Sequence, residues 1–447
     1  MGHADTPVRE VAAKSALSLD EYWMPFTPNR DFKSDPKMVV RAEGMYYWSD
    51  RGDKIIDGAS GLFCVAAGHA RREIADAVSA QLRQLDYVAP FTRGHPRQFE
   101  LATRIAELTP GDLNHIFFTN SGSEAVDTAM KVALAYHQAR GQGGRNMFIS
   151  RERAYHGVNF GGMSLAGMVN NRRRFGPTLP GIAHMRHTHV KENRMTRGEG
   201  AHGVELAEDL VRFVNLYGPE NIAACVVEPI AGSTGCLVPP KGYLTRLREL
   251  CDQHGILLVF DEVITGVGRT GQNFAAQSFG VTPDLMTMAK ALTNGAQPMG
   301  AVAVSARVHD TIMGSAPEGA IEFFHGYTYS GHPAACAAGI ATLDIYKNDG
   351  LFERARELSP YFQDAIFSLR DLPAVADLRG YGLIGGIDLH PEGAPGARGH
   401  KFQKKLFDNG LHLKATGDCV IVAPPFIAER SHVDAITDIL RKTLQTI

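Results

Sequence analysis

Cysteine is scarce in this chain, with six residues among 447, and no two of them form a CxxC pair. A chain of this length can bury a large hydrophobic core, so it needs no disulfide framework for its stability. We therefore expect the six thiols to be reduced and mostly buried, as in a cytoplasmic protein.

An excess of charge of one sign is missing as well. The formal net charge is −2, which gives no reason to expect binding to nucleic acid or to an anionic membrane. No apolar run approaches the length of a membrane span, and residues 1–20 lack the apolar stretch of a signal peptide. Internal repeats and low-complexity linkers are absent too. These absences favour a soluble globular protein, and the hydrophobic share of 44% agrees with that.

From Ala59 onward, short apolar runs alternate with helical patterns. This alternation predicts an α/β fold in which helices wrap a mostly parallel sheet. The predicted strands are His115–Thr119, Met147–Ser150, Ala223–Glu228, Ile256–Asp261, Leu285–Ala289 and Ala301–Val304. The clearest helical patterns are Glu124–Arg140, Tyr243–His254 and Ala334–Lys347.

We divide the chain into three parts. Residues 1–58 comprise an irregular arm and a small antiparallel meander, and they contribute to a smaller domain. Residues 59–330 form the large ligand-binding domain. Residues 331–447 mix helices with short strands and form the rest of the smaller α+β domain.

Two predicted strands each end in one ionisable group, Asp261 in the first case and Lys290 in the second. A charge at the end of a buried strand is unfavourable unless a partner or a ligand meets it. Ligands bind at the carboxyl edge of a parallel sheet, and this pair suits a cofactor with a basic ring nitrogen and an aldehyde. Desolvation lowers the pKa of a lysine and provides the neutral amine that an aldehyde requires. The alternatives are an acid that caps a turn and an ordinary surface lysine.

A segment of small residues, Asn120–Glu124, follows the first predicted strand and opens a helix. Backbone N–H groups and hydroxyls at a helix N-terminus bind phosphate, although the same residues also suit an ordinary serine cap. Farther along, the hydroxyl-rich segment Tyr327–Pro333 offers Thr328 as another phosphate donor.

The segment Gly266–Gly271 matches GxGxxG, a fingerprint of dinucleotide sites. Residues 261–265 separate it from the preceding strand, and no helix start is evident after it. A dinucleotide fold also places this motif on its first strand, so we discount a nicotinamide or flavin cofactor. A second discounted signal is the HxxHxH cluster of His184, His187 and His189. With no fourth ligand nearby, we expect a solvated loop there and no metal.

Taken in order, these segments resemble the class III, pyridoxal-phosphate-dependent aminotransferases of fold type I. Each motif is weak alone, but the ordered set is highly specific and runs across most of the chain. The motifs are Trp23–Phe26, Gly68-His69, Asn120–Glu124, Tyr155–Gly157, Val227–Pro229, Phe260–Val263, Gly268–Gly271, Ala289-Lys290 and Thr328–Pro333. Within the family, the chain is most similar to the ω-amino acid–pyruvate branch, often called β-alanine–pyruvate transaminases.

The resemblance implies a role for each matching residue. Lys290 would hold pyridoxal 5'-phosphate covalently and move the substrate proton. Asp261 would pair with the ring nitrogen. Tyr155 and Val263 would pack on the two faces of the ring, and Glu228 would lie near the ring hydroxyl.

Phosphate and substrate contacts follow from the same resemblance. Ser121, Gly122 and Ser123 would bind the phosphate, and Thr328 of a neighbouring subunit would add a contact. The active site would then require a homodimer or a tetramer. The residues expected to line the amine pocket are Trp23, Phe63 and Phe91.

One departure from the family concerns recognition of the substrate carboxylate. The family usually has an arginine before a C-terminal Gly-Asp pair, and here Lys414 stands at that position. A lysine is a hydrated point charge and cannot make the two-pronged pair that arginine makes. We expect either Lys414 or another cation, such as Arg93, to bind the carboxylate.

The resemblance implies transfer of an amino group from an ω-amino acid or another primary amine to pyruvate by a ping-pong reaction. The products would be alanine and an aldehyde or ketone. An aminomutase or decarboxylase on the same fold is the alternative within this class. A binding protein with an inactive site is the alternative outside it, and the presence of both Asp261 and Lys290 argues against that.

Overall fold

The computed structural model describes residues 18–447, so residues 1–17 of the predicted N-terminal arm lie outside the described residues. The strands are β1 Val39–Glu43, β2 Tyr46–Ser49, β3 Lys54–Asp57, β4 His115–Thr119, β5 Met147–Arg151, β6 Ile182–Met185, β7 Ile222–Val227, β8 Leu257–Asp261, β9 Leu285–Met288, β10 Gly300–Val304, β11 Val375–Tyr381, β12 Ile384–Leu389, β13 Leu411–His412, β14 Lys414–Thr416 and β15 Cys419–Val422.

The α-helices are α1 Asn29–Ser34, α2 Ser60–Phe63, α3 Arg72–Gln84, α4 Pro96–Ala106, α5 Gly122–Ala139, α6 Phe160–Leu165, α7 Val169–Arg172, α8 Asp209–Tyr217, α9 Tyr243–His254, α10 Ala275–Phe279, α11 Ala306–Met313, α12 Pro333–Asn348, α13 Leu351–Phe367, α14 Ala397–Asp408 and α15 Arg430–Leu444. Within residues 18–447, none of them is both long and apolar enough to cross a membrane.

A seven-stranded sheet forms the centre of the fold, in the order β4-β10-β9-β8-β7-β5-β6. Neighbouring strands are parallel from β9 through to β6, and β10 runs antiparallel to both β9 and β4. The mostly parallel sheet predicted from the alternation of strands and helices is therefore confirmed. Because β10 alone is reversed, the carboxyl ends of the other six strands lie along one edge.

Both faces of this sheet are buried, which explains the unbroken apolar runs of the sequence. In β7, Val226 packs into one apolar cluster together with α5, while its neighbour Val227 belongs to the cluster on the other face. Val259 and Phe260 of β8 divide between the two clusters in the same way. Successive side chains of a strand point to opposite faces, so only apolar residues are tolerated until the strand ends.

Residues from both ends of the chain build two smaller sheets. The strands β1, β2 and β3 form the predicted antiparallel meander, and β13 extends it by pairing parallel to β3. The second small sheet has the order β11-β12-β15-β14. These sheets confirm the expected smaller α+β part made from both termini. The domain boundaries at residues 58 and 330 stay predictions. Helix α12 follows the second of these boundaries, and it packs against α3 and α4 of the predicted large domain.

Two local features differ from the sequence-based expectations. The edge strand β6 was not predicted, because three of its four residues are only partly buried and two of the four are not strongly apolar. The expectation that no helix follows the GxGxxG segment is wrong, since α10 begins at Ala275. Its start is stabilised by the Gln277 side chain, which accepts a hydrogen bond from the backbone N–H of Phe274 at 2.8 Å.

Candidate active site

A cavity of about 320 Å³, here called the edge cavity, opens at the carboxyl edge of the central sheet. Asp261 at the end of β8 and Lys290 just after β9 both line it, so the two predicted charges meet at one site. Its other predicted residues are Ser121, Gly122, Ser123, Tyr155, Glu228 and Val263. The structure thus brings together every predicted cofactor-binding residue except Thr328.

Lys290 enters the edge cavity from a strained backbone position. Its φ is +50°, a left-handed conformation that residues with a side chain seldom adopt. Within residues 18–447, no acid or carbonyl makes a hydrogen bond or ion pair with its Nζ atom. Burial lowers the pKa of Lys290, and the nearby Cys64, Asp261 and Glu228 only partly oppose that effect. The side chain is therefore suited to act as a neutral amine, which is the nucleophilic form of lysine.

Asp261 is held in one orientation by three neighbours. Its Oδ2 atom lies 2.8 Å from His156 Nδ1, and its Oδ1 atom accepts hydrogen bonds from the Thr287 hydroxyl at 3.1 Å and the Val263 backbone N–H at 3.2 Å. The other ring nitrogen of His156 lies 3.2 Å from the Ser150 hydroxyl. A buried carboxylate fixed in this way can present one of its oxygen atoms to a cationic group in the cavity.

The N-terminus of α5 forms the other end of the edge cavity. Ser121 is the N-cap, because its hydroxyl accepts a hydrogen bond from the Glu124 backbone N–H at 3.2 Å. The first N–H groups of a helix have no partner within the helix, and they favour an anion. Gly122 leaves space for one, since a Cβ atom there would lie 2.9 Å from Cγ1 of Val263. The Ser123 hydroxyl accepts a hydrogen bond from the Val158 backbone N–H at 3.1 Å.

One further acid, Glu228, and one further ring, that of Tyr155, complete the cavity wall. The Glu228 carboxyl accepts hydrogen bonds from the backbone N–H groups of Tyr155 at 2.9 Å and of Gly232 at 3.1 Å. Burial raises the pKa of Glu228 to about 7, against the opposing influence of His156. Burial also raises the pKa of Tyr155, with smaller contributions from Asp261 and Glu228. A neutral polar lining of this kind lets a ring hydroxyl or phenol share protons with its neighbours.

Sequence reasoning assigned no role to two residues at this site, His156 and Cys64. His156 lay in a matched motif, but only the fold shows that it contacts Asp261. Cys64 lines the edge cavity and is half-buried, while the other five cysteines are buried, and all six are free. The prediction that the thiols are mostly buried is therefore confirmed, and their reduced state stays a prediction.

The remaining predicted residues do not line the edge cavity of the described chain. Trp23 is 87% exposed and Phe91 is 56% exposed, whereas Phe63 is buried in a cluster with Ile264. The backbone carbonyl of Thr328 accepts a hydrogen bond from the Tyr87 hydroxyl at 3.0 Å.

Lys414 lies on β14, partly buried, and burial lowers its pKa with a further contribution from the charge of Lys290. Within residues 18–447, no acid pairs with the Lys414 amine. Arg93, the alternative cation, is exposed and donates to the backbone carbonyl of Thr92 at 2.8 Å.

The GxGxxG segment serves packing between the sheets. Arg269 is fully buried, and its guanidinium donates to the carbonyl of Pro424 at 2.6 Å and to the Ser60 hydroxyl at 3.0 Å. Gly268 lies so close to Phe352 that a Cβ atom would approach its ring to 2.4 Å. The glycines therefore permit close contact between protein segments.

The prediction of a solvated loop around the HxxHxH cluster is wrong for two of its histidines. His184 Nε2 bonds to the carbonyl of Leu165 at 3.0 Å, and His189 Nε2 lies 2.8 Å from Asp377 Oδ2. Arg379 donates to the same carboxylate of Asp377, so a salt-bridge network occupies this region.

The sequence profile described as aminotransferase class-III matches residues 29–444, so the chain belongs to that family. Members depend on pyridoxal phosphate, and the protein is accordingly a pyridoxal-phosphate-dependent aminotransferase of the α/β, fold type I class. The unpartnered Lys290 amine, the fixed Asp261 carboxylate and the space above Gly122 fit this cofactor.

Within this family, the chain is similar to several individual proteins. The chain is 53% identical over 431 residues to an omega-aminotransferase of Caulobacter vibrioides, covering 96% of this chain and 98% of the relative. It is 48% identical over 436 residues to a beta-alanine–pyruvate aminotransferase of Pseudomonas aeruginosa, covering 97% of each. Among solved structures, it is similar to an omega transaminase from Pseudomonas jessenii in complex with PMP, with a TM-score of 0.90, 33% identity, and coverage of 96% of this chain and 98% of the other.

Proposed function

We propose that this aminotransferase moves the amino group of an ω-amino acid or another primary amine to pyruvate. The products are alanine and the aldehyde or ketone of the donor, formed in two half-reactions at one site. The observation that carries the proposal is the unpartnered Lys290 amine facing Asp261 inside the edge cavity. The choice of pyruvate as acceptor is supported by the names of two relatives with 48% and 46% identity, both of which are pyruvate aminotransferases.

In this proposal the cofactor, when bound, supplies an electron sink for the substrate carbanion. The Asp261 carboxylate would favour a protonated ring nitrogen, and His156 keeps that carboxylate oriented. Lys290 would hold the cofactor through its aldehyde carbon, and its free amine would carry the proton to and from the substrate Cα. Tyr155 and Val263 would hold the ring from its two faces.

The phosphate lies at the N-terminus of α5 in this proposal, where Ser121, Gly122 and Ser123 provide hydroxyl and N–H donors. Glu228 lies beside the ring hydroxyl, and its raised pKa suits a shared proton there.

We assign the carboxylate of pyruvate to Lys414 rather than to Arg93. Lys414 is partly buried and has no acidic partner within residues 18–447, so a substrate anion would provide the opposite charge that its amine lacks. Arg93 is exposed and already bonded to the neighbouring Thr92.

Two exposed segments support a site shared between subunits. A Cβ atom on Gly326 would lie 2.9 Å from Phe91, and the rings of Tyr87 and Tyr329 lie 5.9 Å apart, so residues 87–91 contact residues 326–329. Phe324 in the same region is 85% exposed. Exposed aromatic residues of this kind mark protein interfaces. We propose that Thr328 and Phe91 of one subunit reach the edge cavity of another in a homodimer or tetramer, located in the cytoplasm.

A donor panel assayed with pyruvate tests this function. We expect β-alanine or another primary amine to give alanine and the matching aldehyde or ketone in equal amounts. An aminomutase would instead return an isomer of the donor, and a decarboxylase would release CO2, in both cases without alanine. Absence of pyruvate-dependent alanine with every donor would contradict the proposed function.

A further inference from the structure

The turn that follows β9 contains two residues in a strained conformation. Lys290 opens a short 3₁₀ turn over Lys290–Thr293, and Asn294 ends it. Both Lys290 and Asn294 have a φ of +50°, in the left-handed region that a side chain disfavours. The backbone N–H of Asn294 donates to the carbonyls of Lys290 and Ala291, so the two strained residues belong to one compact turn. A strained backbone persists only where the surrounding contacts hold it in place.

The Asn294 side chain makes such contacts. It is buried, and its Oδ1 atom accepts a hydrogen bond from the Ala67 backbone N–H at 2.8 Å. Its Nδ2 atom donates to the Gly68 carbonyl at 2.9 Å. A backbone N–H can only donate and a carbonyl can only accept, so these two partners determine the orientation of the amide. Asparagine also tolerates a left-handed φ better than most residues with a side chain.

The segment Ser60–Gly68, here called the anchor loop, is fixed on its other side as well. The Ser60 hydroxyl donates to the carbonyl of Ala423 at 2.7 Å, and the carbonyl of Ala66 accepts a hydrogen bond from the Phe426 backbone N–H at 2.7 Å. Both partners follow β15 of the second small sheet. The anchor loop therefore connects that sheet to the turn that carries Lys290.

The anchor loop and the turn also meet at the wall of the edge cavity. Cys64 of the anchor loop and Gly295, directly after the turn, both line the cavity. A Cβ atom on Gly295 would lie 3.2 Å from the Cβ atom of Cys64. Because the two segments approach so closely, a shift of one would be felt by the other.

We propose that Asn294 is a positioning residue for Lys290. By joining the turn to the anchor loop, its side chain holds the Lys290 backbone at its left-handed φ and so directs the amine into the edge cavity. Asn294 is not among the described residues that line this cavity, so it acts through Lys290. The assignment rests on the proposed function, because it concerns the same proton transfer.

Proton transfer is the step that depends most on this positioning. The Cα–H bond of the substrate breaks, its proton goes to the Lys290 amine, and its electron pair goes to the cofactor. The amine must lie within hydrogen-bond reach of that proton, and a misplacement of about 1 Å can slow a reaction by about 10²-fold. A less firmly held Lys290 would therefore transfer the proton slowly even where the cofactor stays attached to it.

Asn294→Gly is the first test, because it removes both side-chain hydrogen bonds and still permits the left-handed φ. The holoenzyme is mixed with alanine in the absence of pyruvate, and the change of cofactor absorbance is followed in a single turnover. We expect the rate to fall by about tenfold to 10²-fold. The isotope effect with alanine deuterated at Cα should be at least as large as in the wild type. Borohydride reduction and peptide mass spectrometry should still find the cofactor on Lys290.

Asn294→Asp gives a second, pH-dependent readout. The ionised carboxylate can accept a hydrogen bond from Ala67 but cannot donate to the Gly68 carbonyl, so the rate should be low. The protonated carboxyl can donate through its O–H group, and both hydrogen bonds then return. Burial raises the pKa of a carboxyl, so we expect the rate, relative to the wild type at the same pH, to rise as the pH falls from about 8 to about 6.

Asn409→Gly is the matched control. The Asn409 amide donates to the Thr443 hydroxyl at 2.9 Å, and Asn409 lies outside the edge cavity. This variant should keep the wild-type rate and isotope effect. A wild-type rate in Asn294→Gly, or a slower rate with a smaller isotope effect, would overturn the positioning role. A relative rate of Asn294→Asp that does not change with pH would overturn it as well, and this result decides if Asn294→Gly does not fold.

The outcomes also separate this inference from the proposed function. Alanine is the proposed product of pyruvate, so the wild-type holoenzyme should react with it in the reverse half-reaction. If the wild type reacts and Asn294→Gly reacts equally fast, the positioning role alone is wrong. If alanine leaves the cofactor absorbance of the wild type unchanged, the proposed function is wrong and the positioning role falls with it.

Discussion

The inner wall of the edge cavity and the outer residues of the active-site region are built in different ways. The inner residues, such as Asp261 and Lys290, follow buried strands of one sheet, and their positions are fixed by the packing of that sheet. The outer residues, such as Trp23 and Phe91, lie on exposed segments with few contacts of their own. The difference indicates that cofactor chemistry depends on the sheet, while substrate choice depends on surfaces that a second subunit or a ligand covers.

The largest effect should come from the inner wall. Replacing Lys290 by Ala removes the amine that we propose to bind the cofactor and to transfer the proton, so we expect kcat to fall by about 10⁴-fold. Alanine formation from pyruvate measures the loss. The exposed Lys401, replaced by Ala, is the control and should keep wild-type activity. Retention of more than a tenth of the activity in Lys290→Ala would remove the distinction between inner and outer residues.

A second inner substitution, Asp261→Asn, keeps the shape of the side chain but removes its charge. We expect kcat to fall by about 10²- to 10³-fold, as when one preorganised electrostatic partner of the reacting group is lost. Cofactor absorbance should shift as well, because the ring nitrogen loses its proton. Unchanged absorbance together with unchanged kcat would show that Asp261 only caps the end of β8.

Gly122→Ala tests how tightly the inner wall is packed. The added Cβ atom would lie 2.9 Å from a methyl group of Val263, so we expect cofactor affinity to fall by about tenfold. Equilibrium titration with pyridoxal phosphate measures it. Gly144→Ala is the matched control, because the nearest atom to its Cβ lies 3.8 Å away. Equal affinities in the two variants would contradict the close packing of the site.

The smallest effect concerns Lys414, at the border between the two regions. Burial lowers its pKa, so its positive charge is lost at a lower pH than that of an exposed lysine. We expect KM for pyruvate to rise about threefold to tenfold as that charge is lost. Lys414→Arg stays charged and should flatten the rise. An identical pH profile in Lys414→Ala and the wild type would remove Lys414 from the carboxylate site.

Much of the inner region could be predicted from the sequence. Buried parallel strands produce apolar runs with sharp ends, so Asp261 and Lys290 are conspicuous in the chain. The long helix α9, predicted as Tyr243–His254, has those bounds in the structure. The contact of His156 with Asp261 could not be predicted, because the two residues are 105 positions apart and meet only through the fold.

The outer region is less predictable for a physical reason. Exposed aromatic residues such as Trp23 carry no periodic pattern, and their partners lie on other segments or other subunits. The family resemblance supplied Phe63 as a pocket residue, while the described chain buries it in an apolar cluster with Ile264.

Location of the cofactor attachment site tests the central claim most directly. The holoenzyme is reduced with borohydride, digested, and analysed by peptide mass spectrometry. We expect the phosphopyridoxyl group on the peptide that contains Lys290, at one group per chain. Attachment to Lys414 or to any other lysine would contradict the assignment of the edge cavity as the catalytic site.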